Sequence, residues 1–212
     1  GYAAAYYSYV WAEVMDAEEF ERQRDLYEPL AGAVRDLLDA TIRTQADPDT
    51  VAAAVRAVEA VTASLRATQL EGPRGIRYTS DGRSMTWGNP VIGIHNAFAP
   101  PVVVNKEDDR CWAEFTLGAA YEGPPDHVHG GVSALILDHM LGEVASLGGI
   151  KPIFTGTISC RYLRGTPLGA LRCETWVDRV DGIKTYAKGF IADADGPTVE
   201  AEGVFIQPQW AR

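Results

Sequence analysis

Apolar residues recur at three- and four-residue steps in two stretches near the N-terminus. Val51, Val55, Val58, Val61, Thr62 and Leu65 form one stripe behind Asp47-Pro48-Asp49. That triplet offers an N-cap carboxylate and a proline suited to the first helical turn. An earlier helical stretch, with Asp16 as its cap, runs through Glu18, Phe20, Leu26 and Leu30. The second stripe is expected to pack against the rest of the chain.

The period changes near Glu71-Gly72-Pro73, where Gly, Pro, Val, Thr and aromatic residues become frequent. This predicts a helical extension over residues 1–75 and a main domain over 76–212. Within the main domain, short strands are expected at Ser84–Trp87, Val102–Lys106 and Arg110–Leu117. A turn-rich stretch from Tyr121 to Asp126 leads into a strongly apolar helix, Gly131 to about Leu147, closed by Gly148-Gly149. Four alternating runs follow, at Phe154–Leu163, Ala170–Val180, Lys184–Ala194 and Thr198–Gln207. Asp181-Gly182 and Asp195-Gly196 sit between the last three, and Asp-Gly is a strong hairpin signal. Strands, one helix and then an antiparallel meander predict an α+β fold, with one helix against a single curved sheet.

Composition narrows the function. The formal net charge of −10 leaves little scope for a Lys- and Arg-built duplex surface, so no nucleic-acid partner is expected. No apolar run approaches the roughly 20 residues of a membrane span. Cys111, Cys160 and Cys173 are widely spaced and fit no metal pattern. They read as buried strand residues in a reducing, cytoplasmic setting.

The chemistry is concentrated in His127-Val128-His129-Gly130-Gly131-Val132-Ser133-Ala134-Leu135-Ile136-Leu137-Asp138-His139-Met140. Two glycines open the helix, where unpaired N–H groups and about half a positive charge can hold an oxyanion. Asp138 shares a face with Gly131, Leu135, Leu141 and Ala145. A carboxylate on such a face is costly unless paired or used. The plain alternative is a structural acid bonded to a nearby backbone or to His139. His129 suits orienting the loop better than proton transfer, and His95 and His139 read as packed or surface residues.

The His-Gly-Gly opening, with Asp nine positions after the His, resembles hotdog-fold acyl-CoA thioesterases of the PaaI-like, thioesterase-superfamily type. Gly123-Pro124-Pro125-Asp126-His127-Val128 is similar to their lead-in loop, and Phe154 to Arg164 to the strand after their helix. The resemblance covers about residues 80 to 210. It implies a hotdog fold, an antiparallel sheet wrapped round one central helix, behind the N-terminal helical extension. It further implies an acyl-CoA substrate, no cofactor beyond the CoA of that substrate, and a homodimer or homotetramer. Gly130 would polarise the thioester carbonyl through its amide, and Asp138 would act as base or nucleophile. Thr155, seven residues before Tyr162, would help place the water; Thr157 is its rival. Gly131 and Thr157 are expected at the substrate, with Arg161, Arg164, Lys184 and Lys188 as candidates for the CoA phosphates. One departure stands out. Several relatives carry Asn six residues before the motif His, where this chain has Gly123; Glu122, His127 or a water would have to replace it.

Gly130 and Asp138 lie eight residues apart, about 12 Å along one helix. Both must reach within roughly 3 Å of one reacting centre. Two antiparallel helices across a two-fold axis satisfy this, with Gly130 of one chain facing Asp138 and Thr155 of the other. The alternatives are a hotdog protein that binds acyl-CoA without cleaving it, and a hotdog hydratase, which the His-Gly-Gly opening disfavours.

Overall fold

The computed structural model describes residues 17–72, 75–79, 84–100, 102–147 and 151–211. Asp16 and Gly148-Gly149, expected to cap and close helices, lie outside them.

Six strands form one antiparallel sheet: β3 (Asn105–Glu107), β4 (Arg110–Leu117), β5 (Phe154–Tyr162), β6 (Gly169–Asp181), β7 (Lys184–Asp193) and β8 (Gly196–Ile206). Their order is β3-β4-β6-β7-β8-β5. A separate two-stranded piece pairs β1 (Arg77–Tyr78) with β2 (Ser84–Met85). The hairpin signals are where expected: Gly182 and Gly196 adopt φ values of 56° and 110°, which glycine reaches without steric cost. The expected strands at Ser84–Trp87 and Val102–Lys106 are realised only as the shorter β2 and β3.

One helix, α3 (Gly130–Ala145), touches β4, β5, β6, β7 and β8, so the sheet curves round it. This is the expected hotdog arrangement. Ile136, Leu137, Met140 and Leu141 are wholly buried, and they meet Ile191, Val199 and Phe205 from the sheet. Burying each such side chain stabilises the fold by about 1.5–3 kcal/mol. The buried Thr175 hydroxyl of β6 donates to the Met140 carbonyl at 3.0 Å, tying sheet to helix without an unpaired polar group.

The N-terminal extension is helical. α1 (Ala17–Arg43) runs well past the expected Leu30 and carries Pro29 in its interior. It docks through a few groups: Phe20 lies 5.6 Å from Trp87, Tyr27 lies 4.7 Å from His95, and Arg35 donates to the Ala99 carbonyl. α2 (Pro48–Arg66) starts where expected, with Asp47 Oδ1 accepting from the Asp49 and Thr50 amides at 3.0 Å each. Its packing does not follow expectation. No residue of α2 is buried, and Val51, Val55, Val58, Val61 and Leu65 are 42–55 % exposed. Among the described residues, the stripe therefore does not pack on this chain's own main domain. Periodicity specifies an apolar face, but not which surface covers it.

Candidate active site

Four consecutive residues at the start of α3 set the site. His129 is the N-cap, with φ −59° and ψ 130°, and its Nδ1 accepts from the Gly131 amide at 3.0 Å. An imidazole nitrogen that accepts carries no proton, so Nδ1 is committed to the cap and His129 orients the loop. The His129 amide donates to the Tyr121 carbonyl, and the His129 carbonyl accepts from Val132 and Ser133. The Gly130 carbonyl accepts from the Tyr162 hydroxyl at 2.8 Å. The two peptide units on either side of Gly130 are thus held at three of their four polar ends. The Gly130 N–H is the remaining one, with no partner among the described residues. First-turn N–H groups have no intrahelical acceptor, so this donor points outward with the positive end of the helix behind it. Gly131 was expected at the substrate; its amide is already bonded to His129.

Asp138 sits half-buried, two turns further along. Its Oδ1 accepts from the Thr155 hydroxyl at 3.0 Å. No other hydrogen bond to Asp138 occurs among the described residues, so Oδ2 is left for another donor. Neither a backbone group nor His139 hydrogen-bonds the Asp138 carboxylate among the described residues. Asp138 also lies close enough to Cys160 for its charge, after burial, to push that thiol upward. Cys160 is only half-buried, whereas Cys111 and Cys173 are buried as expected.

A bulge puts Thr155 and Thr157 on opposite faces of β5. Thr155 pairs with Phe205 and Thr157 with Val204, so Gly156 is the extra residue. Directly paired residues of antiparallel strands face the same side. Phe205 is buried against the core and Val204 is on the opposite face, which sends Thr155 inward and Thr157 outward. Strict alternation would put residues two apart on one face, and the bulge breaks it. Thr157 lies with Ser159, Tyr186 and Lys188 in a shallow pocket on the sheet's outer side, away from Asp138.

Beside the helix start is a cleft of about 420 Å³, lined by Pro124, His127, Val128, Gly130, Ser133, Tyr162, Arg164, Gly165 and Thr166. His127, Ser133 and Tyr162 were not singled out for it; nothing in the spacing says that β5 and the loop before β6 close over the helix. His127 contacts the Pro125 carbonyl through Nδ1 at 2.7 Å, so that nitrogen donates. Glu122 is occupied within the loop, accepting from the Asp126 amide. Gly123 is forced to be small: a Cβ there would lie 2.7 Å from the His129 Cα. The side chain that relatives place at this position has no room.

The candidate phosphate-binding arginines are paired within the chain. Arg161 points outward and meets Glu200. Arg164 makes a two-pronged contact with Asp193, 2.7 Å for one arm, and also donates to the Gly196 carbonyl. This holds the Asp193 carboxyl down at about 2. Lys188 meets Asp178 at 3.0 Å. Among the described residues, no group of three His, Cys, Asp or Glu side chains is placed to hold a metal ion.

Residues 126–200 match the family model of the thioesterase superfamily. A crystal structure of a thioesterase superfamily protein is 36 % identical, with a TM-score of 0.76, and the alignment covers 85 % of this chain and 90 % of that one. The chain belongs to the thioesterase superfamily. Human acyl-coenzyme A thioesterase THEM5 (Homo sapiens) is 32 % identical over 98 residues, 45 % of this chain and 39 % of that protein. Its Mus musculus counterpart is 31 % identical over the same length. The match thus spans about two fifths of those curated relatives. The superfamily match includes α3, both Asp138 and Thr155, and the cleft lining apart from Pro124. No described helix is long and apolar enough to cross a membrane.

Proposed function

We propose that this chain is an acyl-CoA thioesterase that hydrolyses a CoA thioester to free acid and CoA at sites shared between two protomers. The observation that carries this reading is the division of the machinery along α3. An unpartnered Gly130 amide stands at one end, and an Asp138 carboxylate steadied by Thr155 stands about 12 Å away. The cleft beside Gly130 does not include Asp138. One helix cannot bring both to one carbonyl; two antiparallel helices can.

β5 supports the same reading. It is an edge strand, with one ladder of backbone groups unpaired, and Phe154 and Tyr162 on it are 60 % and 52 % exposed. A second copy adding its own β5 would cover them and run the two α3 helices past each other. In the resulting site the thioester carbonyl oxygen accepts from the Gly130 amide of one protomer. Asp138 of the other protomer attacks the carbonyl carbon or takes the proton of an attacking water. The tetrahedral intermediate collapses with loss of the CoA thiolate, giving the free acid directly when water attacks, or a mixed anhydride with Asp138 that a water then hydrolyses when Asp138 attacks. Thr155, donating to Oδ1, leaves Oδ2 directed at the reacting centre. A preorganised oxyanion donor is worth about 10²–10³ in rate and a positioned base about 10²–10⁴.

The test is release of free CoA from a panel of acyl-CoAs, followed with a thiol reagent, for the wild type and Asp138→Asn. Wild-type turnover on at least one acyl-CoA and loss of most of it in a folded Asp138→Asn protein is the expected result. Tight acyl-CoA binding without CoA release by the wild type would make the protein a binder instead. In single-turnover hydrolysis in ¹⁸O water, label entering Asp138 excludes a pure base role.

A further inference from the structure

We propose that Tyr162 is a positioning residue for the Gly130 amide, acting as a strut from the edge strand to the start of α3. The proposal rests on the thioesterase reading above and adds a residue to it.

β5 touches α3 through two polar contacts. Thr155, near its beginning, holds Asp138; Tyr162, at its end, holds Gly130. The strand and the helix run in opposite directions, so one strand sets both halves of the chemistry. Tyr162 pairs with the buried Val199, which turns its side chain to the helix side of the sheet. From there its hydroxyl reaches the Gly130 carbonyl at 2.8 Å. A carbonyl can only accept, so the phenol is the donor. Partial burial raises that phenol above its ordinary range and keeps the proton in place.

Glycine needs such a strut. Without a Cβ, Gly130 has more backbone freedom than any other residue, and Gly131 beside it shares that freedom. An oxyanion donor is effective only when held 2.7–3.1 Å from where the charge develops. The His129 cap and the bonds from Val132 and Ser133 come from the helix's own first turn, and the His129 amide adds one bond to the Tyr121 carbonyl in the preceding loop. Tyr162 is the anchor that ties this turn to the sheet. Its ring also lies where a Gly130 side chain would go, 3.3 Å from an added Cβ, so ring and glycine fit each other.

The strut also lies at the edge proposed to meet the second copy. Tyr162 is 52 % exposed in the single chain, so packing of a partner's β5 would fix the ring and, through it, the amide.

The test is Tyr162→Phe, which removes the hydroxyl and keeps the ring. Losing one hydrogen bond of ordinary strength predicts a fall in kcat of about five- to tenfold with KM within twofold. Oligomeric mass and thermal midpoint should stay close to wild type. A second readout needs no turnover: amide hydrogen exchange at Gly131, whose N–H is held by His129, should speed up at least threefold in Tyr162→Phe while exchange at Leu137 and Met140 is unchanged. A kcat loss under threefold, or one carried mainly by KM, together with unchanged exchange at Gly131, would overturn the strut. If the wild type proves inactive but the glycine exchange responds, the strut stands and the thioesterase reading falls.

Discussion

Replacing Gly130 with proline tests the polarising amide in the most direct way the backbone allows. Proline has no N–H, so the substitution deletes the donor itself. The position tolerates it: Gly130 is the first helical residue, where proline's fixed φ is already suitable and the lost N–H has no intrahelical partner. The preceding residue also fits, since His129 has ψ 130°, inside the extended range that a following proline demands. The cost in packing is local. An added Cβ would come within 3.3 Å of the Tyr162 ring and hydroxyl, so that side chain must yield by a few tenths of an ångström. Gly130→Ala carries the same Cβ and keeps the N–H, and is therefore the reference. Loss of one oxyanion donor costs about 10²–10³ in kcat, or about 2.7–4 kcal/mol of transition-state stabilisation. The expected result is that Gly130→Pro turns over at least a hundredfold more slowly than Gly130→Ala, by CoA release at saturating substrate. Circular dichroism and thermal midpoint should be alike for the two. A proline variant within tenfold of the alanine variant would show that another donor polarises the carbonyl.

Thr155→Val removes the hydroxyl held by Asp138 Oδ1 and should lower kcat about tenfold, whereas Thr157→Val, on the far side of the bulge, should leave it within twofold; equal losses would refute the assignment of faces. Cys111 is buried with its thiol pushed up to about 11, and Cys173 is fully buried. A thiol reagent should therefore label only the half-buried Cys160 of the native chain, and more quickly in Asp138→Asn, which removes the charge raising that thiol. Mass spectrometry of the labelled peptides reads this out. Arg164 holds the Asp193 carboxyl at about 2, below the roughly 3.9 of an unfolded chain. That contribution to stability is complete above about pH 4 and disappears as pH falls through 2. Thermal midpoints between pH 2 and 6 should accordingly fall less steeply for Asp193→Asn than for wild type; parallel curves would contradict the pairing.

Local signals were readable in the sequence because their causes are local. Asp47-Pro48-Asp49 marks α2 since a cap needs only its own next three residues. Asp181-Gly182 and Asp195-Gly196 mark hairpins since a tight turn is decided by the φ of one glycine. The Gly130 opening and Asp138 stood out as local departures from an apolar helix. What could not be read depends on register and on contacts between distant segments. Gly156 has nothing in its neighbourhood that announces a bulge. Arg161 and Arg164 look like free cations until β8 and the end of β7 place Glu200 and Asp193 beside them. The hold of Tyr162 on Gly130 joins residues 32 apart. The stripe of α2 was legible as a face, but its covering surface is not within the described chain.

The bulge at Gly156 works as a phase shifter. A strand reads its residues out in a two-beat rhythm, and one inserted beat exchanges the voices that follow. Paired without that extra residue, the strand would set Thr155 and Thr157 on one face, two hydroxyls of the same chemistry before one carboxylate; with it, only Thr155 stands on the side of Asp138, and Ile206 lies 2.8 Å from an added Gly156 Cβ. Which of two identical threonines serves Asp138 is thus decided by counting, and an alignment that slips by two here would assign the role to the wrong one.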